Sequence, residues 1–527
     1  METLHFNREK TGLFTNISNQ LSYNQIGLSK YIQSPFSKEN FQKQIELKSK
    51  SITKSQREIL FNVLTEKYKL VAENEKVTSN IELLKLENTF TITTGHQLSL
   101  FTGPIYFIYK ILHAIRLSEE LKKQYPETNF VPVFWMASED HDFEEIQSIQ
   151  LYGKTLKWKT EQKGPVGRFN IESFEPIKKE FAEFFENHPD SEIQNLLQSF
   201  DGKSLGEATF KFVNQLFKEY GLIIIDGDNL QLKTEFKSTI EKEIKSQFSF
   251  SEVTKTSESL QEEGIKLQIT PREINLFYIE NNLRSRIQLI EGNYFIEEKG
   301  TFTQEEILDI LEKHPESFSP NVVLRPLYQE TILPNLCYLG GGGEIAYWLQ
   351  LKGVFDFVKI PFPLIQVRNS FLQIDSGSLK KLEKINLTIE DIFNSTEDLK
   401  KNYVLKNSAE ELNFKNIDKS FSEFCNTISK QIIQVDSNLK SYSEAEISRL
   451  EKQLISIKQK LIKTEKSKHE NSLSQIEQLK NKLFPNGVLQ ERSMNFFSIC
   501  SDGNVYSHLT EIYNSIDPFG NDLITIK

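Results

Sequence analysis

A histidine and a glutamine stand at the end of a predicted β-strand, in a loop that could bind an anion. The loop runs through Gly95, His96 and Gln97 to Thr102 and Gly103. Its amides and the His96 ring would hold a phosphate or carboxylate and stabilise negative charge that develops during group transfer. A structural turn around a hydrogen-bonded histidine is the alternative that the sequence leaves open.

An acidic cluster with one imidazole follows the next predicted strand. Glu139, Asp140, His141 and Asp142 are consecutive, so at most two of them point into one pocket. They predict a general base with its orienting partner, one half of a metal site, or a helix N-terminus whose dipole favours acids. No HExxH or cysteine-rich spacing supplies further ligands. The cluster therefore favours substrate or nucleotide binding, and no metal is predicted.

A run of four glycines at 340–343 precedes Glu344 and a predicted helix. It resembles a phosphate-cradling turn, although it fits neither GxGxxG nor GxxxxGK[ST], and close backbone packing explains it nearly as well. Arg325 and Gln329 lie upstream of it. They predict a cationic clamp for an anionic ligand or, alternatively, a hydrogen-bonded pair between domains.

The strands that must position these residues alternate with helices. Residues 91–94 are β-branched and follow Phe90, Pro104 begins a strongly apolar helix, and residues 130–136 form a second buried strand. Two strands flanking one helix make a βαβ unit of a parallel sheet, in which both strands end at the same edge. We therefore expect the two polar loops to share one crevice.

The parallel α/β core is predicted to span residues 86–375. Further core strands are expected at 221–228, from Leu336 onward and at 362–367, and inserted segments occupy about 150–320. The insertion should hold short strands and a turn over residues 156–160 and 164–169, and a hairpin that turns near 280–282.

The regions on either side of the core are predicted to be helical. Residues 1–85 form a helical lead-in, with a capping box predicted at Ser55 and Glu58. Residues 376–488 predict a coiled-coil arm, because apolar residues recur at heptad spacing from Ile447 to Leu461. The charged run at 465–470 is a hairpin tip or a polar heptad in one long helix. The tail, 489–527, is expected to pack back on the core.

Composition excludes several classes of partner. The 527 residues carry a formal net charge of −10 without a dominant basic cluster, so nucleic acid is a poor candidate partner. No apolar run approaches the length of a membrane span, and no signal peptide is apparent. The three cysteines fit no disulfide framework or zinc pattern. These features predict a cytoplasmic protein without a membrane partner.

Five stretches together resemble the BshC family, assigned to cysteine ligation in bacillithiol biosynthesis. They lie in family order and are spread from about residue 90 to 495, nearly the full length of the chain: 94–104, 134–146, 324–334, 341–347 and 489–495. The resemblance implies a Rossmann-like parallel sheet core with inserted connecting segments and a C-terminal α-helical coiled-coil arm that forms a homodimer. It also implies a carbon–nitrogen ligase that joins cysteine to glucosaminyl-malate, with ATP or a related nucleotide activating the cysteine carboxyl.

Together with the resemblance, the positions of the candidate residues predict a role for each of them. His96 would offset developing negative charge, and Asp140 or Asp142 would accept an amine proton or hold the cysteine ammonium, with His141 as the orienting group. Arg325 and Gln329 would hold the malate end. The remaining predicted substrate- or nucleotide-binding residues are Gly95, Gln97, Thr102, Gly103, Gly341, Gly342, Gly343, Glu344 and Arg492.

Two other classes of function compete with the ligase. One is a nucleotide-dependent transferase or oxidoreductase acting on another small carboxylate; an oxidoreductase of this fold needs a GxGxxG turn, which the first strand–helix turn lacks. The other is a coiled-coil dimeric scaffold without catalysis, which would leave the polar loops at the strand ends without a purpose.

Overall fold

The structure is a computed structural model that describes residues 2–23, 26–188, 191–407 and 414–527. Its strands are β1 (Thr3–Phe6), β2 (Thr89–His96), β3 (Asn129–Met136), β4 (Ser148–Leu151), β5 (Lys154–Lys157), β6 (Ile223–Asp226), β7 (Leu276–Glu280), β8 (Leu283–Ile290), β9 (Asn293–Ile296), β10 (Gly300–Phe302), β11 (Phe318–Pro320), β12 (Asn335–Gly340), β13 (Leu364–Val367), β14 (Ser370–Gln373) and β15 (Leu523–Ile526).

The α-helices of the first half of the chain are α1 (Arg8–Thr11), α2 (Asn16–Ser22), α3 (Asn40–Ser49), α4 (Lys54–Tyr68), α5 (Glu75–Leu83), α6 (Tyr106–Gln124), α7 (Phe143–Ile146), α8 (Glu175–Glu183), α9 (Glu192–Ser199), α10 (Leu205–Phe217), α11 (Leu230–Ser246) and α12 (Phe248–Glu262). Those of the second half are α13 (Gln304–Lys313), α14 (Arg325–Ile332), α15 (Gly342–Trp348), α16 (Lys352–Val358), α17 (Ser376–Lys384), α18 (Thr396–Asn407), α19 (Phe414–Val435), α20 (Lys440–Lys468), α21 (Glu470–Leu483), α22 (Gln490–Ser493) and α23 (Val505–Ser515).

A five-stranded parallel sheet forms the centre of the first compact unit, which comprises residues 1–372 and 490–526. Its strand order is β13-β12-β2-β3-β6, with every neighbouring pair parallel. The chain starts in the middle at β2, runs outward through β3 to β6, and later returns to the other side of β2 with β12 and β13. This is the order of a Rossmann-like sheet, and its switch point lies between β2 and β12. The predicted fold class is confirmed.

Strand β3 shows why the sheet is buried on both faces. Its side chains alternate between two apolar cores: Val131, Val133 and Trp135 join one, whereas Phe134 and Met136 join the other. Alternate residues of a strand point to opposite faces, so a strand covered on both sides is apolar throughout. Helix α6 covers the second face and is largely buried, as its apolar sequence indicates, but it begins at Tyr106 and not at the predicted Pro104.

The insertion contains a second sheet, which is antiparallel. Its order is β10-β9-β8-β7-β11, and the predicted hairpin is formed by β7 and β8 with a turn at Asn281 and Asn282. Asn281 has a φ of 53°, a conformation that asparagine tolerates better than most residues. Of the short strands and turn predicted over residues 156–160 and 164–169, the first segment overlaps the end of β5, and the second contains a 3₁₀ turn at Val166–Arg168.

The N-terminal region is helical from α1 to α5, but it begins with a strand that was not predicted. Strand β1 pairs with β15 from the tail, in the order β1-β15-β14. The capping box of α4 uses Thr53 and Gln56, two residues before the predicted pair of Ser55 and Glu58. Both pairs fit the same sequence rule, and the helix starts at the earlier one.

The second compact unit spans residues 373–489 and adds Lys527; the predicted arm was 376–488. Helices α19 and α20 run antiparallel, with Ser443 Oγ bonded to Ser429 Oγ at 3.1 Å, and the chain reverses at residues 436–439. The charged run at 465–470 does not form one continuous helix, since α20 ends at Lys468 and α21 begins at Glu470. Two residues of the predicted seam, Ile457 and Leu461, are 58% and 45% exposed.

Within the described ranges, the structure contains no helix with the length and apolar character needed to cross a bilayer.

Candidate functional site

A cavity of about 810 Å³ opens at the carboxyl edge of the central sheet. Residues that follow each of the five parallel strands line it: Gln97 after β2, Asp140 after β3, Gly227 after β6, Gly341 after β12 and Arg368 after β13. The crevice predicted for the two polar loops is therefore present, at the place where open α/β sheets bind ligands. The antiparallel inserted sheet supplies the facing wall through Phe277, Arg284 and Arg286.

His96 ends strand β2 and is held by two hydrogen bonds. Its Nδ1 lies 3.0 Å from the Gln97 carbonyl oxygen, which only accepts, so Nδ1 carries the proton. Nε2 then accepts from the Tyr106 hydroxyl at 3.1 Å. Burial and the Lys110 ammonium lower the pKa of His96 to about 3. At neutral pH His96 is therefore an uncharged ring that orients Tyr106, and the cationic character expected of it resides in Lys110.

Lys110 and Glu344 form a buried ion pair at the corner between β2 and β12. Lys110 Nζ donates to the Glu344 carboxylate at 2.5 Å and to the Gly95 carbonyl at 2.9 Å. The Tyr338 hydroxyl donates to the other carboxylate oxygen at 2.5 Å. Burial raises the pKa of Glu344, but the Lys110 charge and these hydrogen bonds outweigh burial and lower it. Glu344 stays ionised, with its charge compensated inside the protein.

Glu344 also fixes the glycine-rich turn. Its Oε2 accepts from the Gly341 amide at 3.2 Å, so the carboxylate caps its own helix. A Cβ on Gly341 or Gly343 would meet nothing within 4 Å, whereas one on Gly342 would collide with Ser18. Close packing therefore explains Gly342, and the two flanking glycines leave room on the cavity side. Nearby, Arg325 Nη2 donates to the Tyr347 hydroxyl at 2.7 Å.

Asp140 is held by neutral donors. Its Oδ2 accepts from the Gln97 amide at 2.8 Å, and Oδ1 accepts from the His141 and Asp142 backbone amides at 2.7 and 3.3 Å. Burial raises the pKa of Asp140, but the Gln97 hydrogen bond, Arg284 and the two amides bring it below its usual value. Asp140 therefore keeps its negative charge without a bonded counter-ion.

His141 connects this loop to the inserted sheet. Arg284 Nη1 donates to His141 Nδ1 at 2.8 Å, and the imidazole lies against Phe277 with ring centroids 5.3 Å apart. Because Nδ1 accepts, it does not donate to Asp140 3.7 Å away, and the proton of the neutral ring is on Nε2. Asp140, His141 and Asp142 offer ligand-type atoms within 4.8 Å of one another, and Arg284 already bonds one of them.

Glu139 points to a different partner from its neighbours. Its carboxylate lies 2.6 Å from Lys233, an almost fully buried lysine that also lies 3.4 Å from Asp228. Burial raises the pKa of Glu139, and Lys233 opposes that effect. Glu139 lines the cavity and has Lys233 as its counter-ion, but burial outweighs that charge, so the pKa of Glu139 is raised whereas that of Glu344 is lowered.

The tail contributes two charged residues near the cavity. Glu491 is buried and accepts from both terminal nitrogens of Arg368, at 2.7 and 3.0 Å. The Arg368 guanidinium carbon lies 5.1 Å above the Tyr106 ring, so this pair supports the residue that bonds His96. Arg492 is exposed and lines the cavity, as its prediction as a binding residue requires.

Three predicted binding residues do not line the cavity. Thr102 and Gly103 are buried in a tight turn in which Phe101 and Thr102 both have positive φ. The Asn495 side chain holds this turn by donating to the Phe101 and Gly103 carbonyls at 2.8 Å each. Their placement at a binding loop is corrected, because this turn serves to pack Phe101 among phenylalanines of the core.

Gln329 is the third residue placed away from the cavity. It is fully buried in α14 and donates to Glu330 at 3.1 Å, beside the buried pair of Glu330 and Lys48. One helical turn separates it from Arg325, which does line the cavity, so the two side chains do not form the predicted clamp.

Sequence reasoning missed several cavity residues. Lys110 was read as part of an apolar helix, yet a single lysine among buried residues signals a compensated charge. Arg368 follows the last core strand, the position at which the other strands carry cavity residues, and this could have identified it. Arg272, Arg284 and Arg286 belong to the insertion, and nothing in their local sequence indicates that they face the core.

Comparison with known proteins identifies both units of the chain. The profile described as "Bacillithiol biosynthesis BshC, N-terminal Rossmann-like domain" matches residues 1–369, and that described as "Bacillithiol biosynthesis BshC, C-terminal coiled-coil domain" matches residues 371–526. Together the two matches cover almost the whole chain.

Relatives named "Putative cysteine ligase BshC" align along most of the sequence. The protein from Flavobacterium johnsoniae is 44% identical over 469 residues, 87% of each chain. The protein from Cytophaga hutchinsonii is 41% identical over 465 residues, covering 88% of this chain and 87% of the relative. A solved structure titled as a putative arginyl-tRNA synthetase from Campylobacter jejuni covers 88% of this chain and 98% of its own. Its TM-score is 0.21 and its identity 11%, too low to compare folds.

Proposed function

This chain belongs to the BshC family of bacillithiol biosynthesis, and from that premise we propose that it joins L-cysteine to glucosaminyl-malate. The new amide bond would link the cysteine carboxyl to the glucosamine amine and yield bacillithiol. The observation that carries the proposal is a single cavity that combines an ionised, uncompensated Asp140 with several arginines. Such a cavity suits substrates that carry both ammonium and carboxylate groups.

Amide formation from a carboxylate and an amine needs an energy source, because the carboxylate oxygen is a poor leaving group. We infer that ATP or a related nucleotide activates the cysteine carboxyl: a carboxylate oxygen would bond to the α-phosphorus, pyrophosphate would leave, and a mixed anhydride of the adenylate type would form. The amine nitrogen then bonds to the acyl carbon, the nucleotide monophosphate leaves with the former carboxylate oxygen, and the amine proton passes to a base. Cationic side chains around the cavity support the binding of such a phosphate-bearing ligand.

The geometry suggests which residues act on the substrates. Asp140 binds the cysteine ammonium or accepts the amine proton, since it is ionised and its charge has no bonded counter-ion. His141 presents Nε2–H while Arg284 holds its Nδ1. Gly341 and Gly343 leave room for a sugar or phosphate, and Arg325 holds a carboxylate of the malate end.

Another Rossmann-like transferase or oxidoreductase is the alternative enzyme class. Among dinucleotide-binding folds, the turn after the first strand is glycine-rich so that the backbone approaches the pyrophosphate. Here that turn carries His96 and Gln97, whose side chains occupy the approach by bonding Tyr106, Asp140 and Glu145. This arrangement favours the ligase over a nicotinamide-dependent oxidoreductase.

We also propose that the helical unit forms a homodimer. Large apolar side chains are exposed on α19 and α20, among them Phe424, Val435, Ile457 and Leu461. Exposed apolar stripes on paired helices are typical of surfaces that pack against another helix pair. The three cysteines are free and buried, which supports our placement of the protein in the reducing cytoplasm.

The direct test is synthesis of bacillithiol. Purified full-length protein is incubated with glucosaminyl-malate and cysteine, with and without ATP, and the product is measured by mass spectrometry. We expect product only with ATP, together with AMP. No product under either condition would exclude the ligase and favour a scaffold, whereas product without nucleotide would exclude only the activation step.

A further inference from the structure

We propose that Arg272 and Arg286 of the inserted segment form a binding surface for a ligand with at least two oxyanion groups. Both arginines line the main cavity, and neither belongs to the central sheet. The inference rests on the proposed function only in taking this cavity as the place where substrates bind. The inserted segment would therefore bind the anionic part of a substrate.

The inserted hairpin turns one charged face toward the cavity. Arg286 pairs across the hairpin with Phe277, so both side chains lie on the same face of β7 and β8. Arg284, two residues before Arg286, shares that face and lies with its guanidinium carbon 3.8 Å above the Phe277 ring. Since Arg284 and Phe277 both contact His141 of the core, this face is the cavity wall.

The loop that carries Arg272 is fixed before any ligand binds. The buried Gln350 accepts from the Gln268 and Ile269 amides at 2.8 and 3.1 Å and donates to the Ile269 carbonyl at 2.9 Å. On the other side, the Arg272 amide donates to Asn275 Oδ1 at 3.1 Å. A loop whose backbone is already ordered loses little entropy when its side chain captures an anion.

The charges around the cavity favour an anionic ligand. Seven cationic and five acidic side chains line it, in a chain whose formal net charge is −10. Lys110, Arg284, Arg325 and Arg368 each have a hydrogen-bond partner in the protein. Among the residues that the structure describes, no protein group forms a hydrogen bond or ion pair with the side chain of Arg272 or Arg286, and the same holds for Arg492 of the tail.

Two guanidinium groups without a protein partner in one cavity indicate more than a single carboxylate. Each guanidinium can pair bidentately with one carboxylate or phosphate, so two of them match a dicarboxylate or a polyphosphate. The malate end of one proposed substrate and the phosphates of the proposed nucleotide share this chemistry. A volume of about 810 Å³ accommodates either group.

Calorimetric titration of the full-length protein with L-malate and, separately, with ATP tests the surface and distinguishes the two sources. The variants are Arg272→Gln, Arg286→Gln and the double variant; Arg449→Gln, an exposed arginine of the helical unit, is the matched control. We expect each single variant to weaken one probe about tenfold and the double variant more, with the control unchanged. Circular dichroism verifies that each variant is folded.

The outcomes separate this inference from the proposed ligase. The proposed binding surface is excluded if neither L-malate nor ATP binds the wild-type protein. It is also excluded if the wild type and the double variant bind these probes with equal affinity. Bacillithiol synthesis with unchanged KM values in the double variant also overturns it, while leaving the ligase intact. Arginine-dependent binding of a probe in a protein that makes no bacillithiol supports the surface and overturns the ligase.

Discussion

Glu344 and Asp140 line the same cavity, and the protein holds these two carboxylates in opposite ways. Glu344 accepts from a buried lysine and a buried tyrosine, so its charge is compensated within the fold. Asp140 accepts from an amide side chain and two backbone amides, which are neutral donors. Both carboxylates have a pKa below its ordinary value, but only Asp140 remains a net negative charge toward a ligand.

The difference separates residues that build the site from residues that act in it. A buried charge with a fixed counter-ion must be satisfied for the chain to fold, and removing its partner is costly. A charge stabilised by neutral dipoles stays available for a ligand that carries the opposite sign. Substitutions at the two centres should therefore affect different properties.

Replacement of Lys110 should have the largest effect on stability. Lys110→Met leaves Glu344 buried without its cation, and we expect the free energy of unfolding to fall by about 3–5 kcal/mol. Urea denaturation followed by circular dichroism measures it. The double variant Lys110→Met with Glu344→Gln should recover part of the loss, because it removes the unpaired charge. The exposed ion pair of Lys313 and Asp309 offers the control: Lys313→Met should change the free energy of unfolding by less than about 0.5 kcal/mol.

A loss below about 1 kcal/mol in Lys110→Met would show that water or a neighbouring group compensates Glu344 equally well. The contrast between the two carboxylates would then disappear.

Replacement of Asp140 should have the next largest effect, on activity instead of stability. Asp140→Asn keeps the shape and removes the charge, and we expect kcat/KM for bacillithiol formation to fall about 10²-fold or more. The free energy of unfolding should change by less than about 1 kcal/mol, since the partners of Asp140 are neutral. Asp142→Asn, at a more exposed neighbouring carboxylate, is the control and should retain most activity. Equal losses in both variants would remove the special role of Asp140.

Sequence patterns were sufficient for the sheet and for one half of the cavity. Residues 90–94 and 130–136 are apolar or β-branched and form β2 and β3, and parallel strands bring the loops after them to one edge. That geometry follows from local sequence alone. It predicted that Gln97 and Asp140 line one cavity, and in the structure the Gln97 side chain donates to the Asp140 carboxylate.

The other half depends on contacts between distant residues. Glu344 meets Lys110 across 234 residues, and Arg284 meets His141 across 143. Local patterns do not encode which buried lysine compensates which carboxylate, or which face of an inserted hairpin meets the core. Thr102 and Gly103 lie away from the cavity, in a turn that packs Phe101 and has the same composition as an anion-binding loop.

Acid should destabilise the protein through histidines that the fold keeps neutral. Burial first, then Lys110, holds the pKa of His96 at about 3, and burial holds that of His113 at about 4. Below about pH 6.5 the unfolded chain binds protons that the folded chain does not, so stability is lost as pH falls toward those values. Between pH 6.5 and 5, we expect the fully buried His113 to lower the free energy of unfolding by up to about 1.4 kcal/mol for each pH unit of acidification. The partly exposed His96 should lower it by less.

Urea midpoints at pH 7, 6 and 5 measure this slope in the wild type, His113→Gln and His96→Gln. Each variant should have a flatter profile than the wild type, because glutamine does not titrate. Parallel profiles would mean that the histidines are protonated in the folded state. For His96, that result would mean that the imidazole carries the positive charge predicted from the sequence. Lys110 would then not be the group that supplies this charge.

The smallest effect should follow from Arg284, which is near Asp140 but not bonded to it. Arg284→Gln removes the hydrogen bonds to His141 Nδ1, Ser319 Oγ and the Pro320 carbonyl, and we expect the free energy of unfolding to fall by about 1–2 kcal/mol. The pKa of Asp140 should rise only slightly, because the Gln97 hydrogen bond, which lowers it more than Arg284 does, remains. Carboxylate titration by nuclear magnetic resonance measures this, with Gln97→Leu as the comparison. If Arg284→Gln raised the pKa more than Gln97→Leu, the arginine would be the true counter-ion of Asp140, and the two carboxylates of the cavity would be held alike.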